Sequence, residues 1–219
     1  ALSQALKLTE TCPNHSLVHN VTGACYAGLG QLASAIKSYE KAIELDPNYF
    51  KAYYNLGASY QELVQYDKSI ESYQKSISID PEYAEAHNNL GSVFMELGQY
   101  EEAIECYEKA IQIKPDYFEA HYGVGIVFFD LGDIDKAIES YQNAISRCVL
   151  SSSTDNPNIS ELHNKLGNAL SENAEFTQAI SSYQKAIEIN SNYSEAYNNL
   201  GNTYKDLGML NEALESYLK

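Results

Sequence analysis

Residues 85–91 read EAHNNLG, and residues 195–201 read EAYNNLG. The two stretches lie 110 positions apart, and Leu97-Gly98 follows the first as Leu207-Gly208 follows the second. A chain that writes one segment twice is built from repeats, so the period is measured before any element is assigned. Pro47, Pro81 and Pro115 are 34 residues apart, as are Gly23, Gly57, Gly91 and Gly125, and Tyr39, Tyr73, Tyr107 and Tyr141. Three units of 34 leave eight of the 110 positions over. The excess falls between Tyr141 and Tyr183, which are 42 apart, and the stretch CVLSSSTDNPNI (148–159) reads as the insertion that supplies it.

With Ser16, Phe50, Ala84, Phe118, Ser160 and Ser194 as first residues, the repeats run 16–49, 50–83, 84–117, 118–147, 160–193 and 194–219. Each predicts two amphipathic helices. In the third, His87, Leu90, Gly91, Phe94 and Leu97 form one apolar stripe, and Ala103, Ile104, Tyr107, Ala110 and Ile111 form a second. Pro115 keeps the second helix from running into the next repeat. Gly30, Gly98, Gly132 and Gly208 stand between the helices, where a positive φ is needed. Glycine inside a helix costs ~1 kcal/mol against alanine. Its recurrence at the eighth position (Gly57, Gly91, Gly125, Gly167, Gly201), with alanine at the twentieth (Ala35, Ala103, Ala137, Ala179, Ala213), therefore predicts helices packed at close range.

The spacing of Leu90-Gly91, Phe94, Ala103, Tyr107, Ala110 and Pro115 resembles the tetratricopeptide repeat consensus, over essentially the whole chain. The resemblance implies an all-α fold, a right-handed α-solenoid of stacked antiparallel helix hairpins. Val149 and Ser191 stand where the fourth and fifth repeats would carry the final proline. Residues 1–13 align with Ala35 to Pro47, so the chain is expected to begin in the second helix of an earlier repeat and to be part of a longer array. The sixth repeat stops within its second helix at Lys219, with no capping helix. Leu2, Ala5, Leu6 and Leu8 at one end, and Leu210, Ala213, Leu214 and Tyr217 at the other, predict weak head-to-tail self-association.

Composition sets the class of partner. With 219 residues, 44% hydrophobic content, nineteen tyrosines and no tryptophan, the chain can bury a core of helices packed through aromatics. A formal charge of -16 and the lack of a basic stripe argue against nucleic acid. No apolar run approaches the length of a membrane span and no export leader is visible, so the expected setting is cytoplasmic. Cys12, Cys25, Cys106 and Cys148 form no metal-ligand spacing and read as reduced thiols. Sequons at Asn14, Asn20, Asn158 and Asn192 matter only in a secreted chain and are discounted.

The resemblance also implies that first helices line an inner groove through positions two, five, six, nine, twelve and thirteen of each repeat. Position five holds Asn20, Tyr54, Asn88, Tyr122, Asn164 and Asn198; position six holds Val21, Asn55, Asn89, Gly123, Lys165 and Asn199; position nine adds Asn168 and Asn202. An asparagine side chain donates and accepts, which suits an extended peptide backbone of any sequence. The row resembles the asparagine ladder in the repeat arm of protein O-linked N-acetylglucosamine transferases, interrupted at Val21, Gly123 and Lys165. Tyr122, Ile126 and Phe129, with Met95 from the preceding repeat, add an apolar patch. Glu62, Glu85, Glu96, Glu119, Asp130, Glu161, Glu172, Glu195 and Asp206 stand against Lys51, Lys165 and Lys205, favouring a neutral or basic partner segment. The lysines and arginines that chaperone-binding relatives use to grip a C-terminal carboxylate are missing.

Histidine occupies the fourth position of four repeats, as His19, His87, His121 and His163. Stacked hairpins lie 8–10 Å apart, too far for ligands that must converge within ~2 Å of one ion, so these read as packing residues. No phosphate loop, nucleophile elbow or HExxH occurs, and no catalytic residue, metal or cofactor is expected. The sequence thus predicts a non-catalytic module that binds an extended protein or peptide segment in its groove. Alternatives are a substrate-selecting arm of a larger enzyme such as a glycosyltransferase, or a self-associating scaffold.

Overall fold

The two-helix period is carried through the computed structural model, which describes residues 1–150 and 158–219. Among these residues every regular element is helical: α1 (Leu2–Thr11), α2 (Ser16–Ala27), α3 (Leu32–Leu45), α4 (Phe50–Glu62), α5 (Tyr66–Ile79), α6 (Ala84–Glu96), α7 (Tyr100–Ile113), α8 (Phe118–Asp130), α9 (Ile134–Leu150), α10 (Asn158–Glu172), α11 (Phe176–Ile189), α12 (Ser194–Asp206) and α13 (Leu210–Tyr217). They group into two units, Ala1–Ile113 and Lys114–Lys219. The first contains α1 and the hairpins α2/α3, α4/α5 and α6/α7; the second contains α8/α9, α10/α11 and α12/α13. Consecutive first helices touch directly, α2 with α4, α4 with α6, and α10 with α12, while extensive contacts otherwise run between neighbours in sequence. Each unit is therefore a stack of hairpins.

The turns explain the helix ends. After α6, Gly98 N–H donates to Met95 O at 2.9 Å and Gln99 N–H to Phe94 O at 2.9 Å, the paired closing bonds of a Schellman motif. Gly98 sits at φ 72°, and Gly30, Gly132 and Gly208 at 69°, 78° and 77°. In the second and fifth repeats the same place is held by Val64 and Ala174, both at φ 59°, a region that costs a residue with a Cβ roughly 1–2 kcal/mol.

The second helices α3, α5 and α11 end where an aspartate or asparagine side chain folds back onto the chain. Asp46 Oδ1 accepts the Asn48 N–H at 3.1 Å, Asp80 Oδ1 the Glu82 N–H at 3.2 Å, and Asn190 Oδ1 the Asn192 N–H at 3.1 Å. The fifth repeat thus turns as the others do although Ser191 replaces proline. With neither proline nor such a side chain after Arg147, α9 runs 17 residues to Leu150, against 14 for α3, α5, α7 and α11. Helix α10 begins at Asn158, so helices reach into the stretch expected as insertion from both sides. Its centre, 151–157, lies outside the described residues.

Close approach within each hairpin has a specific cause. The glycine at position eight lies under the ring of the tyrosine at position twenty-four: a Cβ added at Gly57 would stand 2.8 Å from Tyr73 Cδ1, and one at Gly167 2.5 Å from Tyr183 Cε1. The alanines at position twenty are fully buried, and Tyr73, Tyr141 and Tyr183 are among the largest fully buried side chains. The fourth-position histidines serve packing. His19, His87 and His121 bond through Nε2 to the carbonyls of Pro13, Pro81 and Pro115 at 2.7, 3.0 and 3.2 Å. No helix among the described residues is long and apolar enough to cross a membrane.

Candidate functional site

The first-helix face is built by a tie between successive repeats. Asn55 donates through Nδ2 to Asn20 Oδ1 at 2.9 Å, and Asn89 to the Tyr54 hydroxyl at 3.1 Å; in the second unit Asn199 donates to Asn164 Oδ1 at 3.2 Å. Each bond joins position six of one repeat to position five of the repeat before it, 35 residues earlier. The acidic residues at position two serve the same row. Glu161 accepts the Tyr122 hydroxyl at 2.6 Å and Glu195 accepts Asn164 Nδ2 at 2.9 Å. Burial, and then the bond to Glu161, hold the Tyr122 phenol far above its ordinary range, so it stays a donor.

These bonds change what the row offers. Asn164 is fully buried, Asn88 and Asn89 are half-buried, and Asn198 is exposed. Both N–H groups of Asn199 are committed, to Asn164 and to Asn168 Oδ1 at 3.0 Å, so its free capacity is at the carbonyl oxygen. Asn88 donates to Asn89 Oδ1 at 3.2 Å, while its own Oδ1 is buried without a partner among the described residues.

In the first unit longer side chains bond across the face. Gln61, at position twelve, donates to Ser92 Oγ at 2.8 Å and to Glu96 Oε1 at 3.1 Å, and accepts the Tyr73 hydroxyl at 3.0 Å. Met95, at the same position one repeat on, takes the Tyr107 hydroxyl on its sulfur at 3.9 Å. Tyr54 packs edge-on to Tyr83, with ring centroids 5.1 Å apart. Glu62 is exposed and Glu85 half-buried. Two cavities of this unit, of about 610 and 390 Å³, flank α5, lined in part by Tyr53, Lys68 and Lys75 and by Ile77, His87 and Cys106.

In the second unit the first-helix face opens. One cavity of about 260 Å³ is lined by Phe129, Asn168, Glu172, Asn199 and Asn202, with Ser171, Tyr183 and Thr203 at its base. A second, of about 110 Å³, is lined by Ile126, Phe129, Asp130, Tyr141, Lys165 and Asn168. Phe129 and Asn168 belong to both. The Tyr183 hydroxyl donates to Asn168 Oδ1 at 2.9 Å, and that of Tyr217 to Asn202 Oδ1 at 2.8 Å. Tyr122, Ile126 and Phe129 are half-buried against a core containing Tyr141, Leu166 and Tyr183. Met95 belongs to the first unit and lines neither cavity. Glu119 is half-buried and Asp206 exposed, and neither lines a cavity here.

Ser171, Tyr183, Thr203 and Tyr141 were not among the expected site residues. The tyrosines had a signal, since a buried phenol needs a polar partner, and the partner in reach lies on the first helix. Among the described residues no group of three or more His, Cys, Asp or Glu is placed to hold a metal ion. Burial, then the nearby Glu105 and Glu102, push the Cys106 thiol up to about 12, leaving it protonated and unreactive.

Family models of the tetratricopeptide repeat match residues 23–64, 65–98, 91–132, 116–192 and 182–215. Among curated proteins no sequence matches the chain. Among solved structures, a chain of the APC/C hetero-tetramer Cut9-Hcn1 is similar with a TM-score of 0.79 and 18% identity, over 97% of this chain and 40% of that one. This chain therefore spans less than half of that relative. The pilF protein of Pseudomonas aeruginosa is similar with a TM-score of 0.80 and 20% identity, over 92% and 88% of the two chains. YrrB, described as a TPR protein with an unusual peptide-binding site, has a TM-score of 0.65 and 20% identity, over 90% and 97%. At these identities the likeness is one of fold.

Proposed function

This chain belongs to the tetratricopeptide-repeat family, whose repeats serve in general as non-catalytic protein–protein interaction modules, and on that premise we propose that its first-helix face binds an extended, neutral or basic segment of a partner protein. The observation that carries this reading is the pair of adjoining cavities on the first-helix face of the second unit, which share Phe129 and Asn168. A stack of first helices offers a long, fixed surface, and side chains already tied to one another lose little freedom when a ligand arrives. The side-chain amide of Asn199 is held through its two N–H groups, and its Oδ1 is left to accept a backbone N–H. Glu172 and Asp130 against Lys165 leave the pair of cavities with a net negative formal charge, in keeping with the chain's charge of -16. The likeness to YrrB, itself described as peptide-binding, agrees with this reading.

The test is a selection of displayed peptides on the 219-residue protein, followed by amide chemical-shift mapping with a selected peptide. Shifts should concentrate on α8, α10 and α12, and affinity should fall as salt rises from low to physiological strength. Shifts confined to α9 and α11 would remove the proposed face.

A further inference from the structure

We infer that the second unit reads two side chains of that segment, an aliphatic residue and, two positions away, a lysine or arginine; the inference rests on the peptide-binding reading above. The smaller cavity sets the first requirement. An apolar cavity of about 150 Å³ holds benzene, and one of about 110 Å³ suits the methyl groups of valine, leucine or isoleucine better than an aromatic ring. Its walls are the side chains of Ile126 and Phe129 and the ring of Tyr141. Asp130 and Lys165 also line it with opposite formal charges, so the cavity has no net sign.

The larger cavity sets the second. The amide oxygens at position nine are spoken for. Asn168 Oδ1 already accepts from Tyr183 and from Asn199, Asn202 Oδ1 from Tyr217, and Thr203 Oγ1 donates to Asn199 O. Glu172 alone among its described lining residues carries a formal charge, and it forms no ion pair among the described residues. A carboxylate accepts and cannot donate. The side chain that complements this cavity is therefore a cation, and an acidic residue would meet Glu172 with like charge.

The shared walls set the spacing. Because Phe129 and Asn168 border both cavities, the two side chains enter from one side of the bound segment. An extended chain places residues i and i+2 on one face, about 6.6 Å apart.

Four fluorescein-labelled nine-residue peptides on one alanine–serine background test this by anisotropy against the intact protein, with central residues Leu-Ser-Arg, Arg-Ser-Leu, Leu-Ser-Glu and Trp-Ser-Arg. One of the first two, according to chain direction, should bind about five- to tenfold more tightly than Leu-Ser-Glu and Trp-Ser-Arg. Glu172→Gln should bring the arginine-to-glutamate ratio to within about twofold of unity. Glu172 is exposed, and an unchanged melt checks that this variant is folded. An unchanged ratio in Glu172→Gln, or tryptophan bound as well as leucine, overturns the inference. Equal affinity for all four, with shifts still on α8, α10 and α12, overturns the two-residue reading and leaves the binding face standing. Absence of binding by all four overturns both.

Discussion

The first-helix faces of the two units are made from the same positions and carry different residues at several of them: position nine is Ala58 and Ser92 in the second and third repeats, and Asn168 and Asn202 in the fifth and sixth. At position twelve the second and third repeats have Gln61 and Met95, long enough to reach the tyrosine hydroxyl of their own hairpin, while the first has Ala27. The second unit has Phe129 and Ser171 there, and the Tyr183 hydroxyl is taken by Asn168 from position nine. Where the longer side chain reaches across, the surface is occupied by its own bonds. Where serine stands, the space remains as a cavity. The glycine–tyrosine packing beneath is common to both units, so the difference lies in the outward-facing residues at positions nine and twelve and not in the frame.

The largest expected effect tests that common frame. Gly57→Ala in the first unit and Gly167→Ala in the second each drive a methyl group into a tyrosine ring, and each should destabilise by about 2–3 kcal/mol, in the range for core overpacking. Thermal melts of the two variants check it. A large effect in one unit and none in the other would mean that the frames are not equivalent.

Next is pH. Burial, then the nearby Lys185, holds the His163 imidazole down to about 4, and its Nδ1 is buried without a partner among the described residues. Because the folded value lies below the unfolded ~6.5, the unfolded chain takes up the proton first. Stability is complete above pH 6.5 and falls as pH drops from there towards 4, by roughly 2 kcal/mol. Melts at pH 7.5 and 4.5 should show the loss in the native protein and a smaller one in His163→Gln.

A gain is expected at the turns. Val64 is held at positive φ and is 65% exposed, so Val64→Gly should stabilise by about 1 kcal/mol, and Ala174→Gly by a similar amount or less. Gly98→Ala should lose stability at the equivalent turn. Denaturant midpoints read all three.

The smallest effect goes to the comparison itself. Ser171→Gln should place in the second unit the reach that Gln61 has in the first, narrow the larger cavity and weaken binding of a selected peptide about threefold, with the melt unchanged. Unchanged affinity would separate position twelve from the openness of the face.

Much of this was legible in the sequence, because what builds a hairpin is local. Glycine at the turn, proline after the second helix and the 34-residue period place nearly every helix, and they miss where proline is absent: α9 runs on to Leu150 after Arg147, while α11 stops on time because Asn190 substitutes a side-chain turn. The family's positions also placed Phe129, Asn168, Asn199 and Asn202 on the face where the cavities lie. Two things could not be read. Asparagines that look like free ligand groups in a linear sequence bond to one another across 35 residues, which depends on the rise from one repeat to the next. Whether a cavity forms depends on which side chain reaches a buried hydroxyl and how much room it leaves, a matter of rotamers that no periodicity records.

The bond from position six to position five has a consequence for how such a chain can grow. A repeat carrying asparagine at both positions, as in EAHNNLG and EAYNNLG, has a plug on one side and a socket on the other. Copied in tandem, it joins its own duplicate without a compensating change, and the joint carries no net charge to accumulate along the array. A repeat with glycine or lysine at position six, as at Gly123 and Lys165, has lost the plug and must find another fastening, which for the fifth repeat is Glu161 on Tyr122. The near-identical heptapeptides are thus interchangeable parts, each fit to follow the other.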